Sequence, residues 1–173
     1  FEYDSEVFVL TVVPVNDSPV MTGIDPQETD EDNPQTITVS SFDVDTGTGP
    51  GDENAPSYIA SSSSDDVDIF VEGDQLTMTP SLNFHGGVTI TVTVTDDGGL
   101  SDTTDFILTV VPVNDSPVMT EIDSQSTNED NSLSIMISSV DVDHGTHNPG
   151  DENIPEYSCS SSDVLSVVCS VEG

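Results

Sequence analysis

From residue 88 to residue 95 the chain reads Val-Thr-Ile-Thr-Val-Thr-Val-Thr, with four β-branched apolar residues on one parity and four threonines on the other. Successive side chains of a strand point to opposite faces, so this stretch predicts a strand with one face in a core and one in water. The same period of two, less regular, predicts strands at 20–22, 36–40, 57–61, 68–71, 75–79 and 105–110. No stretch repeats its apolar positions at helical spacing. Turn signals separate the strands, among them Glu72-Gly73-Asp74, His85-Gly86-Gly87 and Asp97-Gly98-Gly99. About seven short strands in roughly 100 residues is the size and spacing of an immunoglobulin-like sandwich. The chain has no Trp, so the buried Trp of antibody domains is not part of the pattern.

The strands come in units. An eight-residue string, Val-Pro-Val-Asn-Asp-Ser-Pro-Val, stands at residues 13–20 and again, unchanged, at 111–118. A fixed internal period of this kind marks a tandem array. In each copy two prolines bracket Asn-Asp, and proline fixes φ and cannot donate a ladder hydrogen bond, so the string predicts a stiff linker between domains. The organisation expected is residues 1–13 as the last strand of a preceding repeat, 14–111 as one complete repeat, and 112–173 as the N-terminal part of a second. The counterpart of residues 74–110 is not in the second copy. A continuous array of repeats accounts for this better than donation of residues 1–12 to a neighbouring subunit, because a donated strand supplies only one of the strands the second copy lacks.

Charge narrows the partners. The chain has 34 Asp and Glu and not one Lys or Arg, a formal net charge of −34. Nucleic acid and anionic membrane surfaces are bound through Lys and Arg, so both are excluded as partners. No apolar run approaches the length of a membrane span, so this segment is not expected to insert. One-sided charge opposes compaction. Bound divalent cations offset it, which places the protein where they are plentiful, outside the cell or on its surface. The linker's own Asn-Asp pairs are oxygen donors of the kind that hard cations take.

The second copy keeps its acidic positions. Glu31-Asp32 recurs as Glu129-Asp130, Asp43-Val44-Asp45 as Asp141-Val142-Asp143, and Gly51-Asp52-Glu53-Asn54 as Gly150-Asp151-Glu152-Asn153. Together with Met-Thr-Pro-Ser-Leu-Asn-Phe-His-Gly at 78–86 and Val-Thr-Asp-Asp-Gly-Gly-Leu-Ser at 94–101, these residues resemble the cadherin-like tandem repeats of long extracellular surface proteins. The resemblance covers nearly the whole chain. It implies an all-β fold of tandem immunoglobulin-like, cadherin-like sandwiches with Ca2+ at each junction. Carried over by position, the first junction would use Asn16, Asp17, Glu31, Asp32, Asp43 and Asp45. The second would use Asp96, Asp97, Asn114, Asp115, Glu129, Asp130, Asp141 and Asp143. Against this stands a plain reading, since Asp and Asn are frequent in turns for local reasons. The family usually follows Asp-x-Asp with a tight glycine turn, whereas here residues 46–54 make a longer loop whose Asp52 and Glu53 either bind a second ion or face water.

Catalysis finds no foothold. Acid–base pairs need carboxylates in contrasting environments, and among 34 acids nothing marks such a pair. His144 and His147 have a chelating spacing, but the first copy has Thr46 in place of His144. No phosphate loop, nucleophile motif or CxxC is present. The function expected is therefore a non-catalytic structural repeat of an extracellular fibre or adhesin stalk, stiffened by calcium at the linkers. The alternative is a calcium-dependent adhesion module that itself recognises a cell surface or sugar. The partners expected are further copies of the same repeat, in one chain or between chains. Cys159 and Cys169 replace Ala60 and Ile69 on two successive predicted strands, so they either form a bridge or pack as small apolar residues. Serine runs at 61–64 and 160–162 and the threonine face of residues 89–95 offer acceptors for O-linked sugar.

Overall fold

The computed structural model describes residues 1–44, 55–143, 156–162 and 168–170. They group into two compact units, Phe1–Val111 and Pro112–Gly173. Asp45, Asp52, Glu53, His144, His147 and Asp151 to Asn153 lie outside the described residues.

The first unit is an all-β sandwich. Its strands are β1 (Val20–Met21), β2 (Gln27–Asp30), β3 (Gln35–Thr38), β4 (Ser41–Phe42), β5 (Ser57–Ser62), β6 (Val67–Glu72), β7 (Gln75–Pro80), β8 (Gly86–Thr95) and β9 (Ser101–Val111). One sheet has the order β2-β9-β8-β5 and the other β3-β7-β6, with β1 and β4 forming a short antiparallel ribbon. Among the described residues no helix is long and apolar enough to cross a membrane.

The alternation at 88–95 behaves as its physics requires. Val88, Ile90, Val92 and Val94 are buried, while the intervening threonines are half-buried on the outer face. Phe106, Leu108 and Val110 of β9 and Leu76 and Met78 of β7 complete the core, joined by Met21, Val39 and Val67. At about 25 cal/mol per Å² of apolar surface removed from water, a buried side chain of this size contributes roughly 1.5–3 kcal/mol. Those residues therefore carry the unit.

Two strands were not expected. β2 reads Gln-Glu-Thr-Asp, with no apolar residue to show a period, and β4 has two residues. β2 runs parallel to β9, pairing Gln27 with Leu108 and Asp30 with Val111. Its stability comes from the ladder and not from a buried face, so hydrophobic pattern cannot reveal it. Residues 1–12, expected as the last strand of a preceding repeat, are exposed throughout and pair with none of the described strands.

The second unit repeats the start of the first. β10 (Val118–Met119) pairs with β11 (Ser139–Val140) as β1 pairs with β4. Thr120 N–H donates to the Ser138 carbonyl as Thr22 N–H donates to that of Ser40. The Tyr157 hydroxyl lies 3.0 Å from Ser139 Oγ, matching Tyr58 and Ser41 at 2.9 Å. Asp130 and Asp32 share a positive φ, 63° and 61°. Cys159 and Cys169 are joined by a disulfide with a Cα–Cα distance of 6.2 Å. Their counterparts Ala60 and Ile69 lie on β5 and β6, which belong to different sheets, so the equivalent bridge in the first unit would cross between sheets and not within one hairpin ladder.

Candidate cation site at the linker

Register decides which acidic residues share an end of the first sandwich. The β8–β9 hairpin pairs Gly86 with Val110 at one end and Thr95 with Ser101 at the other. Residues 96–100 are thus at the end opposite Val111, separated from it by the full length of β9. Ten steps of strand span roughly 33 Å.

At the hairpin end, three acidic side chains come to the linker and to the strand that follows it. Asn16 Nδ2 donates to Asp96 Oδ2 at 2.9 Å, and Leu100 N–H donates to Asp96 Oδ1 at 2.8 Å. Asp96 is only 6% exposed. Burial pushes its carboxyl up, but the Asn16 amide and the backbone N–H groups of Leu100, Gly99 and Gly98 outweigh it and hold the group below the usual carboxylate range. Asp43 follows Phe42, whose partner across the β1–β4 ribbon is Val20, so it too is drawn to the linker, with Oδ2 buried. Asp102 Oδ2 accepts the Met21 N–H at 2.8 Å. The N–H groups of Met21 and Thr103 hold the Asp102 carboxyl below its ordinary value against the opposing effect of burial.

At the Val111 end stand Glu31 and Asp32. Glu31 N–H donates to the Val111 carbonyl at 2.8 Å, and the side chain is 2% exposed. His85 Nδ1 lies 3.9 Å from Glu31 Oε2. Asp32 Oδ1 accepts the Asn83 N–H at 2.8 Å.

The grouping carried over by position is therefore corrected. Glu31 and Asp32 cannot join Asn16, Asp17 and Asp43 around one ion, because coordination distances are about 2.3–2.6 Å and the length of β9 intervenes. Asp96 and Asp97, assigned to the second linker, belong with the first, where Asp96 already meets Asn16. Sequence order misled because the ends of antiparallel neighbours alternate, so proximity follows strand register and not distance along the chain. Read from sequence, Asp102 has no role, and Gly98 is only part of a turn. The signal for Asp102 was its parity, an acid on the β9 face that goes on to Phe106, Leu108 and Val110.

In the second unit Asp115, Asp141 and Asp143 converge. Asp115 N–H donates to Asp143 Oδ2, and Asp143 N–H donates to Asp141 Oδ1 at 3.1 Å. Asp143 is 4% exposed, whereas Glu129 and Asp130 are exposed in a turn. Asn114 turns its amide to the Asp115 carbonyl at 2.9 Å. Among the described residues no three Asp, Glu, His or Cys side chains stand as a preformed metal cage.

The donor chemistry at the first linker nevertheless fits a hard cation. The groups gathered there are carboxylates and one amide, all oxygen-bearing. The Asn16 Oδ1 atom is buried and accepts no hydrogen bond, and buried polar atoms normally find a partner.

Comparison with known proteins gives the following. The chain is similar to Drosophila N-cadherin EC1-4, at 18% identity with a TM-score of 0.44, over 73% of its own length and 34% of that chain. It thus spans about a third of that structure's length. No curated protein matches it. Residues 16–109, more than half of the sequence, match the sequence model of the bacterial Ig domain. The chain belongs to the bacterial Ig domain family.

Proposed function

We propose that this chain is a non-catalytic structural repeat of an extracellular fibre or surface adhesin stalk, in which calcium bound at the linkers stiffens the array. Membership of an Ig-like family supports a structural, surface-displayed module. The observation that carries the calcium reading is the buried, unbonded Asn16 Oδ1, on an amide whose nitrogen donates to Asp96, in a chain with no Lys or Arg to serve as counter-charge. Asn16, Asp17, Asp43, Asp45, Asp96 and Asp97 would hold an ion at the first linker; Asn114, Asp115, Asp141 and Asp143 would supply the matching donors at the second. Glu31 and Asp32 lie at the Val111 end of their own sandwich, away from the first linker, and Glu129 and Asp130 repeat the pair at the same positions one repeat on. The ion would offset the repulsion among these carboxylates and fix the linker backbone.

Solution scattering with calcium and with chelator tests this. Chelation is expected to shorten the maximum dimension as the linkers become hinges. An unchanged dimension would remove the calcium model.

A further inference from the structure

The start of β1 is anchored without any help from residue 16. Pro19 is fully buried, Met21 is 7% exposed, and the Met21 N–H is taken by Asp102. Yet Asn16, three residues upstream of Pro19, is itself half-buried and donates to Asp96, while residues 1–15 are exposed throughout.

Gly98 gives a second, independent observation. A Cβ at that position would stand 2.5 Å from Asn16 Nδ2, 2.8 Å from Cγ and 3.1 Å from Oδ1. The backbone of the turn does not ask for glycine there. The positive φ of the loop, +85°, falls on Gly99, and the φ of Gly98 lies outside the region that side chains avoid. Gly98 is explained by the Asn16 side chain lying against it.

We propose that Asn16 is a clamp that docks the linker onto the β8–β9 hairpin in the metal-free chain, with the Asp96 carboxylate as its acceptor and Gly98 as the residue that leaves it room. A neutral amide suits the position. It donates a charge-assisted hydrogen bond to Asp96 in a chain that has no Lys or Arg to do so, and it adds no charge to an acidic neighbourhood. The hinge of the cation-free chain then lies upstream of Asn16, and the segment from Asn16 to Pro19 moves with the sandwich that follows it. Where a cation binds, Oδ1 of the same amide is the atom left to face it, so the clamp presents a linker donor in advance. The clamp itself stands without the calcium reading.

The test is backbone relaxation of the 173-residue chain by NMR in chelator. Wild type is expected to show order parameters of about 0.85 at Asp17 and Ser18, as in rigid backbone, falling toward residue 10. Asn16→Ala and Gly98→Ala should drop both below about 0.6, with the amides of β8 unchanged as the control for folding. Asn16→Asp should lose the clamp in chelator through like-charge repulsion with Asp96, and Asn16→Gln should restore it only in part. Mobile Asp17 and Ser18 in wild type, or rigid ones in Asn16→Ala, would overturn the proposal. Addition of calcium to the same samples reports separately on the calcium reading. If wild type is rigid in chelator and unaltered by calcium, the clamp stands and the calcium reading falls.

Discussion

Asp102 shows how much one inward carboxylate does in a small sandwich. It reaches from β9 to the Met21 N–H, tying the short β1–β4 ribbon to the four-stranded sheet. Its folded pKa is depressed by the N–H groups of Met21 and Thr103, against burial. A depressed folded pKa means the contribution is fully present above the unfolded carboxylate value, about 4, and is lost as pH falls through the folded one. Urea midpoints of wild type and Asp102→Asn should therefore differ most near neutral pH, wild type being the more stable, and converge as the pH drops below about 4. A gap that widened on acidification would show that the bond is not what Asp102 contributes. Legibility at this scale was uneven. The acidic positions were visible as repeats, but which of them meet depends on strand register, and so Glu31 and Asp96 were each assigned to the wrong end.

Strands were legible in proportion to the apolar area they bury. β8 could be read from its alternation alone, because four inward residues in a row leave no other face to bury. β7 and β9 were found with their ends shifted by a few residues at most, whereas β2 went unseen since its ladder to β9 involves only backbone. Leu76, the second residue of β7 and fully buried, tests which strands matter. Leu76→Ala should cost about 2–5 kcal/mol by loss of transfer energy and the cavity left behind, read as a fall in the urea midpoint. The outward Thr77→Ala should cost far less, since its hydroxyl only bonds that of Thr36 on the exposed face. In the second unit the Cys159–Cys169 bridge ties segments that correspond to β5 and β6. Closing so short a loop is expected to stabilise by roughly 2–3 kcal/mol. Mass measurement should find neither cysteine alkylated until reductant is added; labelling of both beforehand would exclude the bridge.

Charge is the property of the whole molecule, and it gives the salt response a definite sign. In an ordinary protein, salt screens attractions and repulsions together, and the net effect is hard to foresee. Here the chain has 34 Asp and Glu and no Lys or Arg, so interactions between charged side chains are almost all repulsive. Screening shortens the reach of each repulsion, from about 30 Å at 0.01 M ionic strength to about 10 Å at 0.1 M. In chelator, the melting temperature should therefore rise steadily as NaCl is increased across that range. Calcium at about 1 mM adds almost nothing to the ionic strength of about 0.1 M NaCl, so screening alone predicts no further rise there. A ligand that binds the folded form and not the unfolded one stabilises by an amount that grows with the logarithm of its concentration over its dissociation constant. The expected outcome is a further rise with calcium that continues logarithmically and is not reproduced by the same increment of ionic strength as NaCl. If calcium and NaCl matched at equal ionic strength, the carboxylates would act only as a diffuse field, and the gathering of Asn16, Asp43 and Asp96 at the linker would hold no ion.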